Sequence, residues 1–378
     1  MKVADVVRVL ETLAPKALAE EWDNVGLLVG DSQRRVTKLL VCMDATEPVL
    51  AEALKAGAQM ILAHHPVIFK SIARVTAEDS PVVHEAIRRG IAIYAAHTNL
   101  DNAAGGTNDV LADAMGLGDR RAIMPLVRRD LCKLAVFTPP EDVSRVADAA
   151  FDAGAGLIGN YSRCAFLAHG LGSFCPRAGA HPTVGRTGRQ EVVEELRLEV
   201  VCPRCKAPAV CEAIAAAHSY ETPAIDVYPL EDFPPGCGGG RVGTLARPMT
   251  VRSIVARLKK ATGAPHVQVA SPAGLGPPRA AGKTDGHGRL VRCAAVFTGA
   301  GGSAWSAAAA AGATLYVTGE MGYHDALEAV AGGLTVLCLG HGHSERPGIR
   351  DLARRAAEML GKLKVIDSAR DRDPYVTA

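Results

Sequence analysis

No sign of charge dominates this sequence. Its 42 Lys and Arg residues stand against 40 Asp and Glu, a formal net charge of +2, and no Lys/Arg-rich run argues otherwise. There is therefore no electrostatic case for a nucleic-acid or membrane-surface binder. Long apolar runs are missing too: nothing approaches the roughly 20 residues a spanning helix needs, and the small-residue run from Ala307 to Ala311 is far too short. The opening Met-Lys-Val-Ala-Asp-Val-Val-Arg-Val-Leu-Glu carries charges every few residues and lacks the unbroken apolar core of a signal peptide. It reads as an amphipathic helix, and a cytoplasmic protein is expected. A disulfide framework is absent as well. Ten cysteines are scattered, mostly inside apolar runs, and in a chain this long without a secretion signal they read as buried free thiols. Cys202-Pro-Arg-Cys205, with Cys211 nearby, could be half a zinc site or a redox pair, but the second half is missing and incidental thiols are the simpler reading.

What is present is a patterned apolar content. With 48% apolar and 22% charged residues and 39 glycines, the 378-residue chain fits a soluble α/β protein with a large core, and its length favours more than one domain. An amphipathic helix at 3–13 leads into βα units: strands at 39–43, 60–63 and 91–96 alternate with helices at 48–56, 81–89 and 108–115. That alternation implies a mainly parallel sheet with helices on both faces. Near residue 130 the pattern changes. A strand at 132–138, a helix at 141–153, two strands around 161–166 and 172–175, a strand at 195–201, a helix at 208–217 and a strand at 224–228 follow the ferredoxin-like plan. Residues 131–231 are thus expected to be an inserted α+β domain within a discontinuous α/β domain made of 1–130 and 232–378. The Pro- and Gly-rich run 234–240 reads as the return linker, and 271–288, without periodicity, as a loop. Strands at 266–270, 291–297, 314–317 and 335–339 and helices at 251–260 and 323–330 resume the α/β pattern, and a last amphipathic helix starts near Ser344.

Chemistry-bearing residues gather at strand ends, where α/β sheets bind ligands. The strand at 60 ends in His64 and His65, that at 91 in His97 and then Asp101, and that at 335 in His341, His343 and Glu345, which takes in five of the twelve histidines. A lone histidine at a strand end is usually a hydrogen-bonded group, and adjacent histidines point to opposite faces while a strand continues. Pro66 ends that ladder and lets both imidazoles turn to one cleft. His64, His65, Asp101, His341 and Glu345 are then metal-ligand candidates at the edge of one sheet. They exceed what one structural zinc uses, and two ions about 3.5 to 4 Å apart with Asp101 as the bridge would use them all. Such mixed donors suit zinc, iron or manganese. Gly299 to Ser303 could cradle a phosphate or simply be a tight turn. His324 could donate a proton at a cleft mouth, or cap or pack at its helix start.

Trp22-Asp23-Asn24-Val25-Gly26, Ala63-His64-His65-Pro66, His97-Thr98-Asn99-Leu100-Asp101, Thr318-Gly319-Glu320 with Tyr323-His324-Asp325-Ala326, and Gly340-His341 through Ser344-Glu345 together resemble the Nif-three-like dinuclear-metal proteins, the GTP cyclohydrolase 1 type 2 homologues. The resemblance covers nearly the whole chain. The insert is similar to the PII- or CutA-like domain of longer members around Gly154-Ala155-Gly156 and Ile158-Gly159-Asn160-Tyr161, while Cys202-Pro-Arg-Cys205 departs from the pattern. The resemblance implies a homohexameric ring or cage with two divalent metal ions per subunit, held by His64, His65, Asp101, His341 and Glu345, with His97 a further site histidine. It implies a metal-dependent hydrolase of a nucleotide-like substrate, GTP ring opening being the specific candidate, with His97 or His324 moving protons. The alternative is a non-catalytic metal-binding scaffold, metal carrier or regulatory partner protein.

Overall fold

The computed structural model describes residues 1–127, 130–231, 236–272 and 290–375. The chain divides into two compact units, residues 1–126 with 235–378, and residues 127–234. Most of the expected loop 271–288 and the first part of the return run lie outside the described residues.

The first unit begins with α1 (Val3–Leu13), β1 (Gly26–Val29), β2 (Lys38–Cys42), α2 (Glu47–Ala56), β3 (Met60–Ala63), α3 (Pro81–Arg89) and β4 (Ala92–Ala95). After α4 (Thr98–Asn102) and α5 (Thr107–Met115) come β5 (Leu117–Arg121) and the short β6 (Met124–Pro125). The second unit holds β7 (Leu131–Thr138), α6 (Val143–Asp152), β8 (Ala165–Phe174), β9 (Glu191–Pro203), α7 (Ala207–Ala217) and β10 (Ile225–Pro229). The first unit resumes with β11 (Gly238–Gly239), β12 (Arg241–Thr250), α8 (Val251–Thr262), β13 (Gln268–Ala270), β14 (Leu290–Phe297) and α9 (Trp305–Ala310). It ends with β15 (Leu315–Thr318), α10 (Tyr323–Ala331), β16 (Thr335–Cys338), α11 (His341–Leu360) and β17 (Lys364–Asp367).

The first unit contains two large sheets where the sequence reading expects the ligands on one. Five strands in the order β1-β4-β3-β2-β17 form the first, parallel except for β1. The residues of β2, β3 and β4 are almost all buried, because apolar side chains fill both faces. Leu39, Val41, Met60, Leu62 and Tyr94 pack on one side with α1 and α11, and Leu40, Ile61 and Ile93 on the other with α2 and α3. The second sheet has the order β13-β16-β15-β14-β12-β5 and is mixed: β14, β15 and β16 run parallel, flanked by antiparallel partners. Strands β5, β12 and β17 carry too many charged residues, glycines or prolines, or are too short, to stand out in the sequence.

Helix α11 leaves the second sheet from β16 and delivers the chain to β17 of the first. Its buried Ile349, Leu352, Ala353 and Ala356 recur at helical spacing and join the core of the first sheet. Beside them, the buried Gly348 meets Thr107 at the start of α5 so closely that a Cβ would lie 2.6 Å from the threonine methyl. That approach holds the N-terminal turns of α5 and α11 together.

The second unit is one antiparallel sheet, β10-β7-β9-β8, with α6 and α7 contributing to its core. The two strands expected at 161–166 and 172–175 are one continuous strand, β8. It is exposed along nearly its whole length, so no apolar alternation marks it. In the first unit, β6 and β11 pair antiparallel, Pro125 with Gly238 and Met124 with Gly239.

Arg241, at the start of β12, is 2% exposed and fastens the returning chain. Its guanidinium donates to the carbonyls of Gly236, Gly238, Gly240 and Ala103 and pairs with Asp109 at 2.8 Å. Arg241→Met would remove the buried cation shared by Asp109 and four carbonyls, leaving Asp109 with the Gly105 amide and a longer contact to Arg120. The expected loss is about 3 kcal/mol, read as a lower urea midpoint for the first unit's transition; an unchanged midpoint would contradict this role.

Candidate metal centre

The site forms where chain segments leave strands of both sheets. Strand β3 stops at Ala63; the amides of His64 and His65 then donate to Met43 O at 3.1 and 2.9 Å, and the two rings sit 5.2 Å apart on the same side. His97 follows β4, and the short helix α4 carries Asp101. From the second sheet comes α11, which starts at His341, three residues before the expected start, and so sets His341 and Glu345 one turn apart on one face.

Each imidazole turns its Nδ1 to an oxygen. His64 meets Ala96 O at 2.7 Å, His65 meets Asp44 at 2.9 Å, His97 meets Asp23 at 2.9 Å and His341 meets Glu320 at 3.0 Å. Oxygen partners of this kind fix ring orientation and tautomer and leave Nε2 for a metal. The carbonyl of Ala96 can only accept, so Nδ1 of His64 carries a proton. The Nε2 atoms then converge on two carboxylates. His64 Nε2 lies 3.6 Å from Asp101 Oδ1 and 3.7 Å from Glu345 Oε1. His65 and His341 Nε2 lie 3.3 Å from each other, and 3.3 and 3.2 Å from Glu345 Oε2.

Three groups of these atoms are close enough to share an ion: His64 with Asp101 and Glu345, His65 with His341 and Glu345, and His64 with His65 and His97. Glu345 belongs to the first two, with a different oxygen toward each. The sequence reading gives the bridging place to Asp101, but Asp101 reaches only the His64 side and the geometry puts Glu345 between the two. His64 Nε2 and Glu345 Oε2 are buried without a hydrogen-bond partner, the condition a metal ion relieves. The donor set therefore fits metal ions.

Electrostatics agree with a site short of positive charge. Burial raises the Asp101 carboxyl above the usual carboxylate range against the pull of His64. Burial works the same way on Glu345, but His64, His341 and His65 outweigh it and hold it well below that range. Burial likewise penalises the charged form of His65, yet Asp44 and Glu345 lift its pKa to about 10, and His341 rises to about 9 chiefly through Glu345. Asp23 is pushed up by burial and brought down to about 2 by its hydrogen bonds with His97 and Thr98.

Gly299 lets Glu345 fit. Its φ is +66°, and a Cβ there would stand 2.0 Å from Glu345 Oε1. Its amide donates to Ser344 Oγ at 2.8 Å, so the Gly299 to Ser303 stretch serves as a tight turn over the carboxylate. Asp101 accepts from the Thr107 hydroxyl, itself bonded to Thr298 at 2.9 Å. His97 reaches the cluster, whereas His324 is exposed on the first turn of α10 beside Tyr323 and is not among the converging groups. His343 is turned to Asp373, 3.8 Å away. The sequence reading gave no role to Asp44, Asp23 or Glu320. All three sit just past strands or in motifs already noticed, and a carboxylate there is the available signal.

Two sheets joined by helices around a buried histidine and carboxylate cluster, able to hold metal ions, define the class of protein. Residues 1–374 match the family described as Duf34/NIF3 (NGG1p interacting factor 3), and the chain belongs to it. Relatives include proteins named GTP cyclohydrolase 1 type 2 homolog. That of Halalkalibacterium halodurans is 35% identical, with 99% of each chain covered; that of Bacillus subtilis is 36% identical over 98% of this chain and 97% of the relative. A solved Bacillus cereus protein related to NIF3 superposes with a TM-score of 0.67 at 33% identity, covering 100% of this chain and 99% of the other. Staphylococcus aureus protein SA1388 gives 0.79 at 26% identity with the same coverage. No helix among the described residues is long and apolar enough to cross a membrane.

Glu345 and the carboxylates behind them raise His65 to about 10 and His341 to about 9, so a metal ion competes with protons for these rings. Zinc binding at pH 7 is expected to release protons, and affinity to climb as pH rises toward the two raised values. Calorimetry in buffers of different ionisation enthalpy reads the release; an affinity flat between pH 6 and about 9 would contradict the protonation assigned here.

Proposed function

We propose that this chain holds two divalent metal ions and uses them to hydrolyse a nucleotide-like substrate. The observation that carries the reading is the placement of Glu345, one oxygen facing His64 beside Asp101 and the other facing His65 and His341, which provides for one cation on each side. Imidazole and carboxylate donors together suit zinc, iron or manganese. When bound, such a pair acidifies water toward neutral pH and polarises an electron-poor centre of the substrate.

The chain's own residues supply positioning and proton handling. His97, its Nδ1 held by Asp23, offers Nε2 to the cluster and is placed to take a proton from the attacking water and return it to the leaving group. Asp44 and Glu320 keep His65 and His341 turned inward. A cleft of about 520 Å³ opens beside His65 and His341 and is lined also by Arg346, Arg372 and Tyr375. Arg346 is engaged by Asp371, whereas Arg372 makes no ion pair among the described residues and is available to an anionic group such as a phosphate. The name shared by the relatives, GTP cyclohydrolase 1 type 2 homolog, makes GTP the first substrate to test. Six copies in a ring or cage, as the family resemblance implies, complete the proposal.

Metal analysis of the purified chain is expected to find about two equivalents per chain, with both lost in Glu345→Gln and one in Asp101→Ala. Retention of both ions in Glu345→Gln would remove the bridging role. GTP and a panel of nucleotides should be turned over by chain loaded with zinc, iron or manganese, and His64→Ala should reduce turnover to background. No turnover with any of the three metals across the panel would sink the hydrolase and leave the metal-binding scaffold. A native mass other than six chains would refute the ring.

A further inference from the structure

Two large aromatic side chains stand in solvent beside the metal-type cluster. Trp22 is 60% exposed and Phe69 48% exposed. Their rings lie 5.9 Å apart, and each faces the His97 ring, Trp22 at 6.0 Å and Phe69 at 6.5 Å. His97 in turn has its ligand atom within reach of those of His64 and His65.

The loops that carry the two rings are fastened. Asn24 donates its side-chain amide to Ile68 O at 2.6 Å, which ties the Trp22 loop to the Phe69 loop. Asp23 is held by His97 Nδ1 at 2.9 Å and by the Thr98 amide at 3.0 Å. The rings are thus placed before any ligand arrives, and a ligand does not have to order them. Between Trp22 and Val25, the Asp23 carboxylate is fully enclosed and committed to His97 and Thr98, so the large surface presented to solvent beside His97 is that of the two aromatic side chains.

We infer that Trp22 and Phe69 form a stacking platform that grips the face of a planar heteroaromatic ring of the substrate beside His97. The inference rests on the preceding reading in taking the ligand to be nucleotide-like, and it adds how the ring is selected. Stacking uses the π-face that every base has and is tolerant of base identity. The platform therefore accepts purine and pyrimidine rings alike rather than guanine alone, and rejects a ligand with no ring.

Trp22 itself reports on the platform. The chain has two tryptophans, and the other, Trp305, is part-buried on α9 against the second sheet's core, so Trp305→Phe leaves Trp22 as the sole source of tryptophan emission. Guanosine, adenosine and uridine are expected to quench the fluorescence of this metal-loaded variant, and ribose 5-phosphate to leave it unchanged. By equilibrium dialysis, Trp22→Leu and Phe69→Leu should each weaken guanosine binding roughly 5- to 150-fold, the range that stacking contacts give, with Phe69→Tyr close to the parent and metal content equal in all. Absence of quenching by every nucleoside, or unchanged affinity in both leucine variants, overturns the platform. So does a change of native mass in those variants with affinity intact, since the patch would then be covered by another copy. If nucleosides bind through the platform while GTP is not turned over, the hydrolase falls and the platform stands; turnover with a KM untouched by the leucine variants gives the reverse.

Discussion

A single buried carboxylate sets the terms for the first unit. Glu345 is 3% exposed, and an isolated carboxylate so placed costs several kcal/mol unless it is surrounded by positive charge or hydrogen-bond donors. Three histidine nitrogens from the ends of β3 and β16 supply that surround, and they in turn need oxygens behind them to hold their rings. The requirement propagates outward through Asp44, Glu320 and the Ala96 carbonyl, each on a different segment. Much of the loop geometry at the C-terminal ends of both sheets follows from satisfying this one group.

The frame that makes this feasible is the pair of sheets joined by helices. Strands β2, β3 and β4 are buried on both faces and hold His64, His65 and His97 to a fixed backbone, while α11 brings its first turn from the other sheet. The tight meeting of Gly348 with Thr107 also places the Thr107 hydroxyl on Asp101. Donor groups from both sheets are therefore located by packing that lies a turn or two away from the cluster, which is how a rigid scaffold holds a site in place.

The ligand candidates were legible in the sequence because histidines and carboxylates follow short apolar runs, and Pro66 signals that the ladder ends there. The fold class and family were legible for the same reason, since the motifs sit at strand ends. Which sheet each strand joins was not. Strand pairing is a long-range property, and β12, with two arginines and a proline among its residues, gives no periodic signal that a second sheet exists. Asp101 was the bridge expected from the sequence, and spacing along the chain does not tell which carboxylate has an oxygen on each side. Only the convergence of α11 with β3 puts Glu345 there. Asp44 stayed without a role because its partner His65 is 21 residues away.

The short ladder of β6 with β11 has a further meaning. The chain leaves the first unit after Pro125 and is back in register at Gly238, paired with that same residue. Departure and return are one hydrogen-bonded stitch, so the frame fixes the two ends of the excursion but not its content. Closing a longer or shorter excursion alters only a slowly varying loop entropy, so the first unit is closed on itself whatever the length of chain between Pro125 and Gly238.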